Sequence, residues 1–410
     1  MLNHTKYVLA VLLSFGMVSQ SYAVGSAFIS NEVMSARSAG QGYVGVAGQN
    51  NDPMAVYTNP AAMTALKGTQ VTIGATLENI HGGYQDNAGN ETKERVTNMG
   101  VPNLAVTQSF LDGKFVAGLS AQSVYGLETH WDANSPVAPY ATNSRLGTID
   151  ISPAIAYQIH PMVSVGAGAD YVNLFDAQLD GQPGVPPIVL DDLRGQGTSW
   201  GYHAGIVVQP SEQHSIGIAY HSKVDLRVNG HLSLTTGLPA PYPAMVTTSA
   251  YTDLVLPENV QFGYAYKPTD RWMLEADTAW FHWSSAKDLD VRLPVSGGNI
   301  VTPLDLRDAW SFATGVNYKA TERLQVRSGF WYEPWAMPES TFSPAFMDLS
   351  RYGLSVGAGY GLTENLSVDA AYTAVFMHNR TINNAVAPAG TYSDFANLFV
   401  LNFTYRFGGK

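Results

Sequence analysis

The feature that most limits what this chain can fold into is the rhythm of its turns. From Gly68 onward, segments of alternating apolar and polar residues come in pairs, joined by short polar turns and separated by long loops. The short turns are Asp112-Gly113, His160-Pro161, Pro210-Ser211-Glu212, Pro268-Thr269-Asp270, Thr321-Glu322 and Thr363-Glu364. Asp-Gly supplies the positive φ that a hairpin needs, and Pro presets a turn. The long connections fall near 80–100, 128–145, 179–196, 230–246, 290–303, 336–346 and 380–391. Six short turns and seven long loops make thirteen connections, hence fourteen strands.

Alternation also assigns faces. In the last segment Phe399, Leu401, Phe403, Tyr405 and Phe407 share one face, and Val400, Asn402, Thr404 and Arg406 share the other. Residues 163–171, 352–360 and 366–376 divide in the same way, with Asp369 on the polar face. Soluble sandwiches alternate as well, but three features favour a barrel in lipid. The segments run far past the ~5–6 residues of an ordinary strand and suit a tilted crossing with an extension above the membrane. Short turns alternate strictly with long loops, as when one rim faces the periplasm and the other the exterior. An aromatic residue precedes most short turns (Phe110, Tyr157, Tyr266, Tyr318, Tyr360) and Trp272 follows one, the pattern of an interfacial girdle. Charged residues make up only 13% of the chain, against roughly 25% in soluble proteins.

Hydrocarbon leaves no partner for an open sheet edge, so the first strand must pair with the last. The expected fold is therefore all-β: a closed antiparallel transmembrane barrel of about fourteen strands, spanning 67–410. Fourteen strands enclose more space than their own side chains fill, since about eight already fill theirs. The long segment available to occupy the lumen is 24–66, rich in Gly, Ala, Ser and Asn and without strand or helix periodicity. A flexible linker is the plain alternative; the unfilled lumen argues for a plug. Asn59-Pro60-Ala61 would give it a rigid corner with local backbone capping. Residues 1–23 read as a signal peptide: Lys6, a short apolar core and the small-x-small site Ser21-Tyr22-Ala23. The apolar core is short for the ~20 residues of a spanning helix. These features place the protein in a Gram-negative-type outer membrane.

Several functions find no support. The chain has no cysteine, so thiolate metal sites and cysteine nucleophiles are excluded. A net charge of −11 argues against nucleic acid as a partner. His221-Ser222 are strand neighbours and point to opposite faces, while His203, His214 and His282 show no metal-ligand spacing. No enzyme activity, metal or cofactor is expected. Two long loops are unusually apolar: 179–196, with Leu190 and Leu193, and 230–246, with Leu232, Leu238 and Met245. Exposed apolar loops are a liability unless they pack together or bind an apolar molecule, and both readings stay open. Phe28 and Ile29 of the plug are further apolar contact candidates. Arg327 points inward, where it would receive a carboxylate or pair with a charge such as Glu275 or Asp277.

Asn31-Glu32, the small-residue stretch after it, Gly42-Tyr43 and Asn59-Pro60-Ala61 resemble the N-terminal hatch of FadL-type outer-membrane transporters of long-chain fatty acids and hydrocarbons. Val101-Pro102-Asn103 and Tyr125-Gly126-Leu127 resemble that family's second and third strands. The resemblance implies a fourteen-stranded barrel plugged by the hatch. It also implies passive uptake of hydrophobic molecules, with capture by outer loops and sideways exit through a kink in the third strand. Gly126 within a strand and Pro153 on the next, which lacks an N–H, are candidates for the opening. The chain ends Phe407-Gly408-Gly409-Lys410, whereas family members often end in an aromatic residue. Hydrophobic small molecules and outer-membrane lipid are the expected partners, and the chain is expected to be a monomer. A structural or adhesive barrel and a general porin are the alternatives.

Overall fold

The computed structural model describes residues 35–48, 51–181, 189–235 and 245–407. Fourteen antiparallel strands form the wall. They are β1 (Thr69–Ile80), β2 (Thr97–Phe110), β3 (Phe115–Gln122 and Gly126–His130), β4 (Asn143–His160), β5 (Val163–Asp180) and β6 (Val189–Val208). Next come β7 (His214–His221 and Val224–Thr235), β8 (Met245–Leu256 and Asn259–Thr269), β9 (Trp272–Phe281 and Asp288–Leu293) and β10 (Gly298–Pro303 and Ala309–Lys319). The last four are β11 (Leu324–Glu333), β12 (Arg351–Gly361), β13 (Leu366–Met377) and β14 (Phe395–Phe407). The sheet closes on itself: β1 pairs with β2 on one side and with β14 on the other, from Thr69↔Phe407 to Ile80↔Ala396. Every backbone group along that seam thus finds a partner, as a lipid setting requires.

Period-2 alternation sorts the side chains as the sequence suggests. Phe399, Leu401, Phe403, Tyr405 and Phe407 face outward and are exposed, whereas Val400, Asn402 and Thr404 are buried in the interior. Phe110, Tyr157, Tyr266, Trp272 and Tyr360 stand exposed on the outer face beside the short turns, forming a girdle. Two of the expected long loops are instead mostly strand. Residues 290–303 form a paired extension, Asp288–Leu293 against Gly298–Pro303, and β6 continues β-paired to Val189 against β7. Above the bilayer the ladders continue because water, unlike lipid, permits the polar outward face that these residues carry.

The described residues before β1, 35–48 and 51–68, lie inside the barrel. They contain α1 (Ala36–Ala39), α2 (Ala55–Thr58) and a 3-10 turn, Pro60–Ala65. Ser35 caps α1 by accepting from the Ser38 amide, and Asn59 caps the 3-10 turn by accepting from the Ala61 amide at 3.2 Å, with Pro60 at the first position. Small residues let this plug approach the wall backbone. A Cβ on Gly166 would lie 2.5 Å from the Ala61 nitrogen, and one on Gly357 would lie 2.8 Å from the Gly40 Cα. Gly168 and Gly359 also clear space, but for His203 and for the Arg327–Asp369 pair.

At the long-loop rim, Gly83–Asp86, Glu91–Lys93, Arg380–Ile382 and Gly390–Ser393 form a separate four-stranded sheet. Tyr84, Trp131, Phe342 and Tyr392 pack beneath it, with the Tyr392 ring 4.9 Å from Phe342 and 5.1 Å from Tyr84. This cap covers part of the mouth.

Candidate functional site: the plug, the wall break and two cavities

The plug is held by polar side chains that the alternation aims inward. Asp277 accepts the Gly45 and Val46 amides at 2.8 and 3.1 Å, and Glu275 accepts the Ala47 amide at 2.9 Å. Asp369 takes Arg37 of the plug at 2.9 Å and Arg327 of the wall at 2.7 Å. Arg327 therefore sits with its guanidinium engaged by Asp369 and by Gln325, facing the cavity at the short-turn rim. Asn59 donates to the Val46 carbonyl at 2.7 Å and ties the two halves of the plug together.

The wall is incomplete at one place. The β2–β3 ladder runs from Phe110↔Phe115 to Leu104↔Ala121 and stops there. Ser123 and Val124 leave the strand, Tyr125 keeps a single bridge, and β3 resumes at Gly126 paired to β4. Residues 97–103 of β2 are paired to β1 on their other side. Pro102, which has no N–H to offer, lies in that stretch. Gly126 thus opens the upper piece of β3. Pro153 lies opposite Leu119 in an uninterrupted β3–β4 stretch, whereas on its other side the β4–β5 pairing passes from Ile151↔Tyr171 to Ala154↔Gly168 and skips it. The break is stabilised from below: the Val124 amide donates to Asp150 at 3.3 Å, and Thr148 Oγ1 donates to the Tyr125 carbonyl at 2.7 Å.

A cavity of about 80 Å³ lies between plug and wall, lined by Tyr43, Met54, Tyr57, Val124, Tyr125 and Trp331 among others, and so reaches the break itself. A second, of about 70 Å³, lies nearer the long loops and is almost wholly apolar, lined by Leu127, Leu146, Leu174, Leu193, Leu254 and Phe346 among others. Leu193 is thus placed in a cavity wall, and Leu232 is buried close by against Ala250 and Val291. Met245 is exposed at the start of β8. Leu190 belongs to β6, but its side chain lies outside the described residues, as do Phe28, Ile29, Leu238 and residues 1–23. On the far side of the plug, two polar cavities of about 430 and 360 Å³ open at the short-turn rim.

Sequence reasoning missed a buried cluster beside α2. His203 stacks with His221, their ring centres 5.4 Å apart, and the Tyr57 ring lies 4.6 Å from His221. Asp170 joins His203, and Ser152 donates to Asp170 at 2.6 Å. The signal lay in the hairpin: His203 and His221 stand equally far on either side of Glu212, so the turn at Pro210-Ser211-Glu212 pairs them directly.

Residues 16–407 match the family of outer membrane protein transport proteins described as OMPP1/FadL/TodX. The chain is 28% identical to the 47 kDa outer membrane protein of Pasteurella multocida, covering 99% of this chain and 100% of that one. It is 26% identical to the long-chain fatty acid transport protein of Escherichia coli O6:H1, covering 98% of each. Among solved structures, a FadL homologue from Pseudomonas aeruginosa superposes with a TM-score of 0.82 at 23% identity, over 93% of this chain and all of that one. The toluene transporter TodX from Pseudomonas putida gives 0.74 at 18% identity, over 93% and 100%. Both share the fold of this chain.

Proposed function

We propose a transport route for this chain, which belongs to the OMPP1/FadL/TodX family of outer membrane transport proteins. It is an outer-membrane β-barrel. In the proposed route a hydrophobic molecule, such as a long-chain fatty acid or a hydrocarbon, is captured in the apolar cavity below the long loops. It then moves to the cavity beside the plug and leaves sideways between β2 and β3 into the bilayer. The protein acts as a monomer, and the ligand's own gradient drives passage without a covalent step.

The observation that carries this reading is the position of the inner cavity: its wall includes Val124 and Tyr125, the residues at which β3 breaks. An apolar molecule lodged there is already at the gap. Sideways exit also spares it the polar cavities on the far side of the plug, where leaving hydrocarbon contact is unfavourable by ~25 cal/mol per Å² of apolar surface.

The test is uptake of a labelled long-chain fatty acid and of an alkylbenzene by cells with and without the protein, together with Gly126→Val. Expression should raise uptake of at least one probe, and the variant should lower it while still inserting in the membrane. Uptake independent of expression defeats the transport reading. Unchanged uptake in an inserted Gly126→Val barrel defeats the sideways exit.

A further inference from the structure

The Asp170, His203 and His221 cluster carries a role that transport does not use. All three side chains face the lumen from adjacent strands and are buried. One donor atom from each lies within 4.8 Å of the other two. His203 Nε2 donates to the Val56 carbonyl of the plug at 2.8 Å. With that nitrogen carrying its hydrogen, the lone pair of a neutral ring is on Nδ1, which faces Asp170 at 3.0 Å. Two acceptors at that separation need a proton or a cation between them. His221, 3% exposed, is enclosed between the His203 and Tyr57 rings, with the Thr58 backbone as the polar group beside it. A ring hydrogen directed at that backbone leaves the lone pair of the other nitrogen without a donor, and a buried polar atom so placed calls for a partner.

We propose that Asp170, His203 and His221 bind one divalent first-row transition ion, with zinc the best match in chemistry. Two imidazoles and a carboxylate, with a fourth position left for water, form a common tetrahedral donor set for that ion. The outer contacts are already in place. A ligating histidine usually donates its other N–H to a carbonyl or carboxylate, which fixes the tautomer. Val56 does this for His203, and Ser152 orients the Asp170 carboxylate. Gly168 makes the site possible, because a Cβ there would lie 2.3 Å from the His203 ring. Since Val56 belongs to the plug and the donors to the wall, the ion would sit at their junction. Its entry displaces the proton shared by His203 and Asp170 to solvent.

The experiment uses the full-length barrel in detergent, stripped with chelator and freed of any histidine tag, and titrated with Co²⁺ as a spectroscopic probe. One ion per chain with tetrahedral ligand-field bands is expected, with proton release in weakly buffered solution. His221→Asn and Asp170→Asn should each weaken binding by about tenfold or more, while His214→Asn, at the short-turn rim, should not. No uptake by the wild type, or equal affinity in the wild type and His221→Asn, overturns the proposal. Should either variant fail to fold, wild-type crystals soaked in Co²⁺ decide the matter. An anomalous peak among the three side chains supports the site, and its absence there refutes it.

Discussion

Arg37 of the plug and Asp369 of the wall meet in a buried ion pair, with Nη2 and Oδ2 2.9 Å apart. The other carboxylate oxygen is taken by Arg327 at 2.7 Å, and Asp52 adds a second negative charge close to both guanidinium groups. Removing one partner of a buried pair leaves an uncompensated charge and costs about 3–5 kcal/mol. Asp369→Asn should therefore release this edge of the plug while the wall, held by its own ladders, stays intact. Single-channel recording in planar bilayers is the readout. The wild type should conduct little, and the variant should show larger or flickering openings; identical traces would mean that the plug is anchored elsewhere.

Backbone contact makes a second anchor. A Cβ on Gly329 would lie 2.2 Å from the Gln41 carbonyl carbon and 2.3 Å from the Gly42 nitrogen. Neither atom can swing away as a side-chain end can. Gly329→Val should push residues 41–42 off the wall and expose the plug to protease added to the purified barrel. Overpacking of this kind costs roughly 1–3 kcal/mol. Unaltered digestion would show that the plug shifts without loosening.

What was legible in the sequence depended on local chemistry. The strands were legible because turn residues and period-2 alternation are local signals, and the girdle followed from its offset to the turns. The plug was legible because a lumen this wide needs a filling. Pairings between distant segments were not. Nothing near Arg37 announces Asp369, which lies 332 positions away, and the cap sheet joins residues 83–93 to 380–393 through two loops without periodicity. His203 and His221 fell between these cases, because the turn gave their register but their residue spacing alone suggested no site. The extensions of β6, β9 and β10 above the bilayer were read within long loops: Arg194, Gln196, Asp288 and Arg292 break the apolar outward face that marks the strands below, and the apolar residues of 179–196 face the other way or follow no alternation.

The outer cavity offers a test of capture. Leu193 lines it with Leu127, Leu146 and Leu254, in a surface that is nearly all apolar. Leu193→Asp places a carboxylate where an apolar ligand would lie, and desolvating it costs several kcal/mol. Uptake at low substrate concentration should fall by about tenfold or more, equivalent to at least ~1.4 kcal/mol of lost binding, and should recover partly at saturating substrate. If the cavity serves only to pack loops, uptake will hold while thermal stability drops.

The cap should respond to pH through a pair of loop carboxylates. Asp394 is pushed up to about 7 by burial. Burial, and then the negative charge of Asp394, hold Glu94 well above the usual carboxylate range. Glu94 also accepts the His130 amide at 3.1 Å, which ties the cap strand ending at Lys93 to the rim of β3, and Asp394 accepts the Phe395 amide at the start of β14 at 2.6 Å. Because folding raises both pKa values, the folded cap binds more protons than an opened one. The resulting stability is fully present below the ordinary carboxyl value of ~4 and is lost as pH rises through about 7. Backbone amides of residues 83–93 and 390–393 should exchange with deuterium faster at pH ~9 than at pH ~6, beyond the intrinsic rate difference. Asp394→Asn removes one titrating group and Glu94's repulsive neighbour, and should flatten that dependence. Equal corrected exchange at the two pH values would mean that the two carboxylates stay ionised in the closed cap.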